Sequence, residues 1–195
     1  MSGRVHPFKV RINSGKFRGR YITFSGKNIR PTKATVRKTL FNWLRPTIHG
    51  AHCLDCFSGS GILAFEALSE GAQSVTCLDQ DESVMRSIQQ NCQQLSLDEI
   101  TCLKHRYPLP IKDKQQYDIV FCDPPFGRVT RSQCIDWLVS SGCMKNGCLV
   151  YIEYSSSEHV IDWGPLSLLK SSRSAGVSFA LLVFEHDKGD NICLK

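Results

Sequence analysis

Acidic residues are missing from the first quarter of the chain. Residues 1–50 hold twelve Lys or Arg and no Asp or Glu, so the other 145 carry twelve basic and eighteen acidic groups. The net charge of +6 thus joins a basic head to an acidic body. The head is interleaved with apolar residues, which predicts a folded basic surface for a polyanion rather than a solvated tail. Long apolar runs are missing too. None approaches the roughly 18 residues of a membrane helix, and the amino terminus lacks the apolar core of a signal peptide. The expectation is a cytoplasmic protein. Metal-ligand spacing is scarce: Cys53 and Cys56 form a lone CxxC with no second pair and no nearby His at ligand spacing, which predicts no metal. Most of the ten cysteines sit in apolar patterns (Cys77, Cys92, Cys102, Cys122, Cys148) and read as buried thiols rather than disulfides. Repeats and low-complexity segments are absent. The 195 residues, 42% hydrophobic, suit one globular domain with a small appendage.

What is present is alternation. Phe8, Val10 and Ile12 alternate with Lys9 and Arg11, and Ile22 and Phe24 follow Arg18-Gly19-Arg20. With Asn13-Ser14-Gly15 between them, these predict a β-hairpin with one apolar and one basic face. Arg30-Pro31-Thr32 predicts a helix start with Thr32 as N-cap. Val36, Leu40, Phe41 and Leu44 would form its core stripe, with Lys33 and Arg37 on another face, and Pro46 would end it. From residue 51 onward the pattern predicts strands at 51–56, 74–79, 100–104, 117–122, 147–153, 166–170 and 177–185. Helices are predicted at 61–70, 82–95 and 130–141. Alternating apolar strands and helices predict a mostly parallel α/β sheet covered on both faces, closed by an antiparallel pair.

Two strand ends carry chemistry. Leu54-Asp55-Cys56-Phe57-Ser58-Gly59-Ser60-Gly61 is a glycine turn between a strand and a helix, the form of a nucleotide-binding corner. Asp79 closes the next strand about 20 residues on, the spacing at which an acid meets a ribose. Asp123-Pro124-Pro125-Phe126 ends a later strand, where proline stops the ladder and stiffens the loop. An exocyclic amine on a nucleobase is a poor nucleophile because its lone pair is delocalised. The Asp123 carboxylate and the Pro124 carbonyl could accept its two N–H groups, localise the lone pair and stabilise charge developing on nitrogen. Phe126 could stack on the base.

These residues resemble the class I S-adenosylmethionine-dependent methyltransferases that modify exocyclic or amide nitrogens. Four further stretches narrow the resemblance to the bacterial RsmD family, which methylates guanine N2 in small-subunit ribosomal RNA. They are Arg11-Ile12-x-Ser14-Gly15 with Arg18-Gly19-Arg20, Arg30-Pro31-Thr32, Leu40-Phe41-Asn42-Trp43-Leu44, and Glu66-Ala67-Leu68-Ser69-x-Gly71-Ala72. The resemblance spans roughly residues 8–185. It implies a Rossmann-like, seven-stranded, mostly parallel sheet with the last strand antiparallel, preceded by a hairpin-and-helix extension. It implies an RNA-contacting extension at residues 1–50 and a catalytic domain at 51–195. S-adenosylmethionine, leaving as S-adenosylhomocysteine, would occupy Asp55, Phe57, Ser58, Gly59 and Gly61, Asp79 and Gln80, and His105 and Arg106. Asp123, Pro124 and Phe126 would act on the base. Lys9, Arg11, Arg18, Arg20, Arg30, Thr32, Arg37 and Pro125 would hold RNA, and the partner would be 16S RNA in an assembling 30S particle, met by a monomer. The chain departs from the family pattern at Ala34, Thr35, Lys38 and Glu70, in having Asp79 where Glu is commoner, and at Lys104-His105-Arg106.

An adenine-N6 methyltransferase acting on RNA or DNA would use the same loop chemistry. A nicotinamide oxidoreductase could use Gly59-x-Gly61-x-x-Ala64, but Asp55 and the DPPF loop speak against it. The intact Asp123 speaks against a non-catalytic RNA-binding assembly factor.

Overall fold

The computed structural model describes residues 8–25, 29–111, 115–125, 129–154, 162–174 and 176–185. A two-stranded antiparallel hairpin comes first: β1 (Phe8–Arg11) pairs with β2 (Tyr21–Phe24), with Val10 opposite Ile22. Helix α1 (Ala34–Leu44) follows. A seven-stranded sheet is then built from β3 (His52–Asp55), β4 (Ser74–Asp79), β5 (Ile100–Lys104), β6 (Tyr117–Cys122), β7 (Met144–Tyr154), β8 (Leu166–Ser174) and β9 (Val177–Phe184). Its order is β5-β4-β3-β6-β7-β9-β8, and β9 alone runs against the other six strands. Helices α2 (Ile62–Ser69), α3 (Glu82–Leu95) and α4 (Arg131–Ser141) connect the strands. This is the Rossmann-like methyltransferase architecture expected.

The inner strands β3, β6 and β9 are buried on both faces because they are largely apolar, whereas the edge strands β5 and β8 are mostly exposed. Along β6, Ile119 and Phe121 enter a layer with α1, α2 and α3, while Val120 and Cys122 enter the layer beneath α4. The basic extension belongs to the first layer: Ile12, Ile22, Val36, Leu40 and Phe41 pack in one cluster with Phe65, Phe121 and Tyr151. Gly15 fixes the hairpin there. It has φ +74°, and a Cβ at that position would lie 1.9 Å from the Ser69 carbonyl oxygen, at the end of α2. The close approach lets the Lys16 N–H donate to that oxygen at 2.7 Å and the Phe17 N–H to Ser69 Oγ at 2.9 Å.

Two expectations about α1 are corrected. Thr32 is not its N-cap: the helix starts at Ala34, the N-cap is Lys33, and that residue makes no side-chain cap. Arg37 is not on a surface available to phosphate. It is 3% exposed and ion-paired with the equally buried Glu66. Its Nε donates to the Thr32 carbonyl and its NH1 to the Arg11 carbonyl, each at 3.0 Å.

Candidate functional site

The chain runs outward from β3 through β4 to β5, then returns to place β6 on the other side of β3. In open α/β sheets ligands bind outside the carboxyl ends of the strands at such a switch point. A cleft of about 760 Å³ opens there. It is lined by Asp55, Phe57, Ser58 and Gly59 after β3, by Asp79 and Gln80 after β4, and by His105 and Arg106 after β5. Asp123, Pro124 and Pro125 enter from β6, and Arg30 and Thr32 from the extension. Thirteen of the expected site residues thus converge from segments far apart in sequence. Gly61 stands behind the wall as the N-cap of α2, with φ +77°, where a Cβ would meet Ile88 at 2.9 Å. Lys9, Arg11, Arg18 and Arg20 are exposed on the hairpin segment. Phe126 lies outside the described residues.

The glycine corner is tied to the β4 end by backbone donors. Gly59 N–H donates to Asp79 Oδ2 at 3.0 Å and Asp81 N–H to Oδ1 at 2.9 Å. Ser58 N–H reaches the Leu78 carbonyl at 3.0 Å, and its hydroxyl reaches the Asp55 carbonyl at the same distance. Each Asp79 oxygen accepts one protein donor and keeps a lone pair for a ligand.

The cleft gathers acids. Burial, then the nearby Asp79 charge, pushes the Asp55 carboxyl up to about 7, against the Phe57 N–H that it accepts. Burial also lifts Asp123 well above the usual carboxylate range; the charges of Glu153 and Asp55 add to this and a hydrogen bond from Thr32 opposes it. Glu153 is raised by burial, opposed by the Tyr151 hydroxyl and the Arg30 charge. Carboxylates crowded like this favour a cationic guest. The floor is aromatic. Phe57 lies 5.9 Å from Tyr107 and 6.1 Å from Trp137, and His105 lies 5.5 Å from Trp137. Burial lowers the His105 pKa, and its Nε2 is a buried atom without a hydrogen-bond partner. Among the described residues no group of three His, Cys, Asp or Glu could hold a metal ion.

Glu153 and Tyr107 are site residues that sequence reasoning missed. Glu153 had a usable signal, an acid at the carboxyl end of an apolar strand, the same one that marks Asp55, Asp79 and Asp123.

Residues 10–183 match the family model described as Conserved hypothetical protein 95. The chain is 37% identical over 179 residues to ribosomal RNA small subunit methyltransferase D of Haemophilus influenzae, covering 89% of this chain and 93% of that protein. A solved Escherichia coli structure, described as a candidate methyltransferase, superposes with TM-score 0.79 at 33% identity, covering 91% of this chain and 99% of that one. A Thermus thermophilus 16S rRNA N2 methyltransferase solved with AdoMet and guanosine shares the fold, with TM-score 0.69 at 18% identity over 92% of this chain and 50% of that one.

Proposed function

The chain belongs to the RsmD family, matched as Conserved hypothetical protein 95 and represented by ribosomal RNA small subunit methyltransferase D, and from that premise we propose that it methylates the exocyclic N2 of a guanine in 16S ribosomal RNA, with S-adenosylmethionine as donor. The observation that carries the reading is the convergence of Asp123-Pro124-Pro125 with the Asp55–Gly59 corner and Asp79 in one cleft. S-adenosylmethionine, when bound, supplies an electrophilic methyl group. Gly59 and Ser58 would cradle it, Asp79 would accept its ribose hydroxyls, and Gln80, Arg106 and the orphaned Nε2 of His105 would serve its purine. The acidic cleft suits its cationic centres. Asp123 and the Pro124 carbonyl hold the guanine amine, and the amine proton released on N–C bond formation passes to Asp123. Residues 1–50 serve as the RNA-contacting extension and residues 51–195 as the catalytic body. We place its work, as a monomer, on assembling 30S particles in the cytoplasm.

Incubation with labelled S-adenosylmethionine and either deproteinised 16S RNA or 30S particles tests the reading. Nucleoside analysis should give N2-methylguanosine; label in N6-methyladenosine would favour the adenine alternative.

Asp79→Ala should weaken S-adenosylmethionine binding at least about tenfold, because hydrogen bonds to a charged acceptor are worth roughly 1.5–3 kcal/mol each. An unchanged calorimetric affinity would remove Asp79 from the site.

Arg11, Arg18 and Arg20 are exposed on a hairpin that carries no acid. Replacing all three with Ala should weaken RNA binding and flatten its salt dependence, since each phosphate contact releases counterions. S-adenosylmethionine affinity should survive. Equal affinity and salt slope in a folded triple variant would leave these charges a role in solubility alone.

A further inference from the structure

The carboxyl end of β7 carries an acid that the methyl transfer described above does not use. In the parallel pair β6–β7, Cys122 lies opposite Ile152, so Asp123 and Glu153 stand side by side one residue further on. Side chains alternate along both strands. Phe121 and Tyr151 enter the layer of α1 and α2, Cys122 and Ile152 enter the opposite layer, and Asp123 and Glu153 return to the first. Neighbouring strands lie about 4.8 Å apart, so the two carboxylates reach one small ligand together. Both line the cleft. Glu153 is 7% exposed, and its Oε1 accepts from the fully buried Tyr151 hydroxyl at 2.7 Å. That bond fixes the carboxylate's orientation and leaves its other oxygen for a guest.

We propose that Glu153 reads the N1–H of the target guanine, beside the N2 amine that Asp123 accepts, and so selects guanine over adenine. The assignment rests on the guanine-N2 reading of this cleft. On the Watson–Crick edge of guanine, the N1–H and the N2 amine are adjacent donors. Two adjacent acceptor groups complement them. Adenine offers a lone pair at N1 next to its N6 amine, so one of the two carboxylates would face a lone pair and stay unpaired, which is costly in a buried site. The chemistry also accounts for keeping two acids side by side. Burial disfavours both ionised forms, the Glu153 charge adds to this at Asp123, and that cost is offset when two donors arrive together.

The test uses small-subunit RNA ligated to carry either guanine or 2-aminopurine at the methylated position. 2-Aminopurine keeps the 2-amine but has a lone pair at N1. Wild-type enzyme should favour guanine in kcat/KM by on the order of 10- to 100-fold. Glu153→Ala should lower the guanine value by a similar factor and leave the 2-aminopurine value nearly unchanged. Glu153→Gln keeps the side-chain shape and can turn an amide donor toward N1, so it should shift preference toward 2-aminopurine. S-adenosylmethionine affinity equal to wild type verifies that both variants are folded. If they lowered both substrates by the same factor, Glu153 would only support Asp123 and the assignment would be wrong; an unchanged guanine value would overturn it equally. The guanine-N2 reading fails separately, if wild-type enzyme leaves no N2-methylguanosine in the RNA.

Discussion

Asp123→Ala is expected to slow single-turnover methylation by roughly 10²–10³, the scale for losing one preorganised contact to the transition state. S-adenosylmethionine affinity should change little, because Asp123 sits at the acceptor end of the cleft. Stability should move the other way. The Asp123 carboxyl is raised in the folded chain by burial and by Glu153 and Asp55, so its contribution is full at acid pH and lost as pH rises through that raised range. Replacing it should therefore be close to neutral near pH 4 and stabilising in urea melts at pH 8. The same direction sets the rate profile of the wild-type enzyme. The amine needs an ionised acceptor, so the acid limb should lie above the ordinary carboxylate value of about 4. A variant rate within threefold of wild type would remove Asp123 from the chemistry.

The loop after β6 could be found by reading residues in order. A carboxylate followed by two prolines at the end of an apolar strand breaks the local rules for a core strand, and such breaks concentrate at functional sites. The fold is legible for a related reason. Strands buried on both faces read as continuous apolar runs, so 74–79 and 117–122 coincide with β4 and β6, and the edge strand β5 matches 100–104 as well. The start of β7 is less legible. The expected strand starts at 147, yet β7 begins at Met144, and its pairing with β6 shifts register there. Glu153 carried the strand-end signal of an acid, but its pairing with Asp123 was not legible, because sheet order alone brings the two together. Thr32 looked like a helix cap because it precedes a helical stripe. The chain stays extended through Lys33 instead, and the Thr32 hydroxyl bonds to Asp123.

Arg37 was misplaced by the same limitation, since helical spacing pairs it with Lys33 while its true partner, Glu66, is 29 residues away. The pair joins α1 to α2, and Asn13 N–H donates to the same Glu66 oxygen at 2.9 Å, so the hairpin is tied in as well. Burial shifts both partners against their charged forms, raising Glu66 and lowering Arg37, although each partner's charge opposes the shift of the other. Desolvation thus outweighs the attraction, and the pair is costly to break rather than strongly stabilising in itself. Arg37→Ala should destabilise the chain by about 3–5 kcal/mol, because it strands a buried carboxylate whose Oε2 already has no hydrogen-bond partner. The penalty should shrink as pH falls through the raised range of Glu66, where the stranded group becomes neutral. Arg37→Met with Glu66→Leu should cost much less than either single change, since no unpaired charge remains. Urea melts of the four proteins at pH 5 and pH 8 measure the cycle. A surface role for Arg37 would instead give a loss below about 0.5 kcal/mol in stability, with the larger effect on RNA affinity.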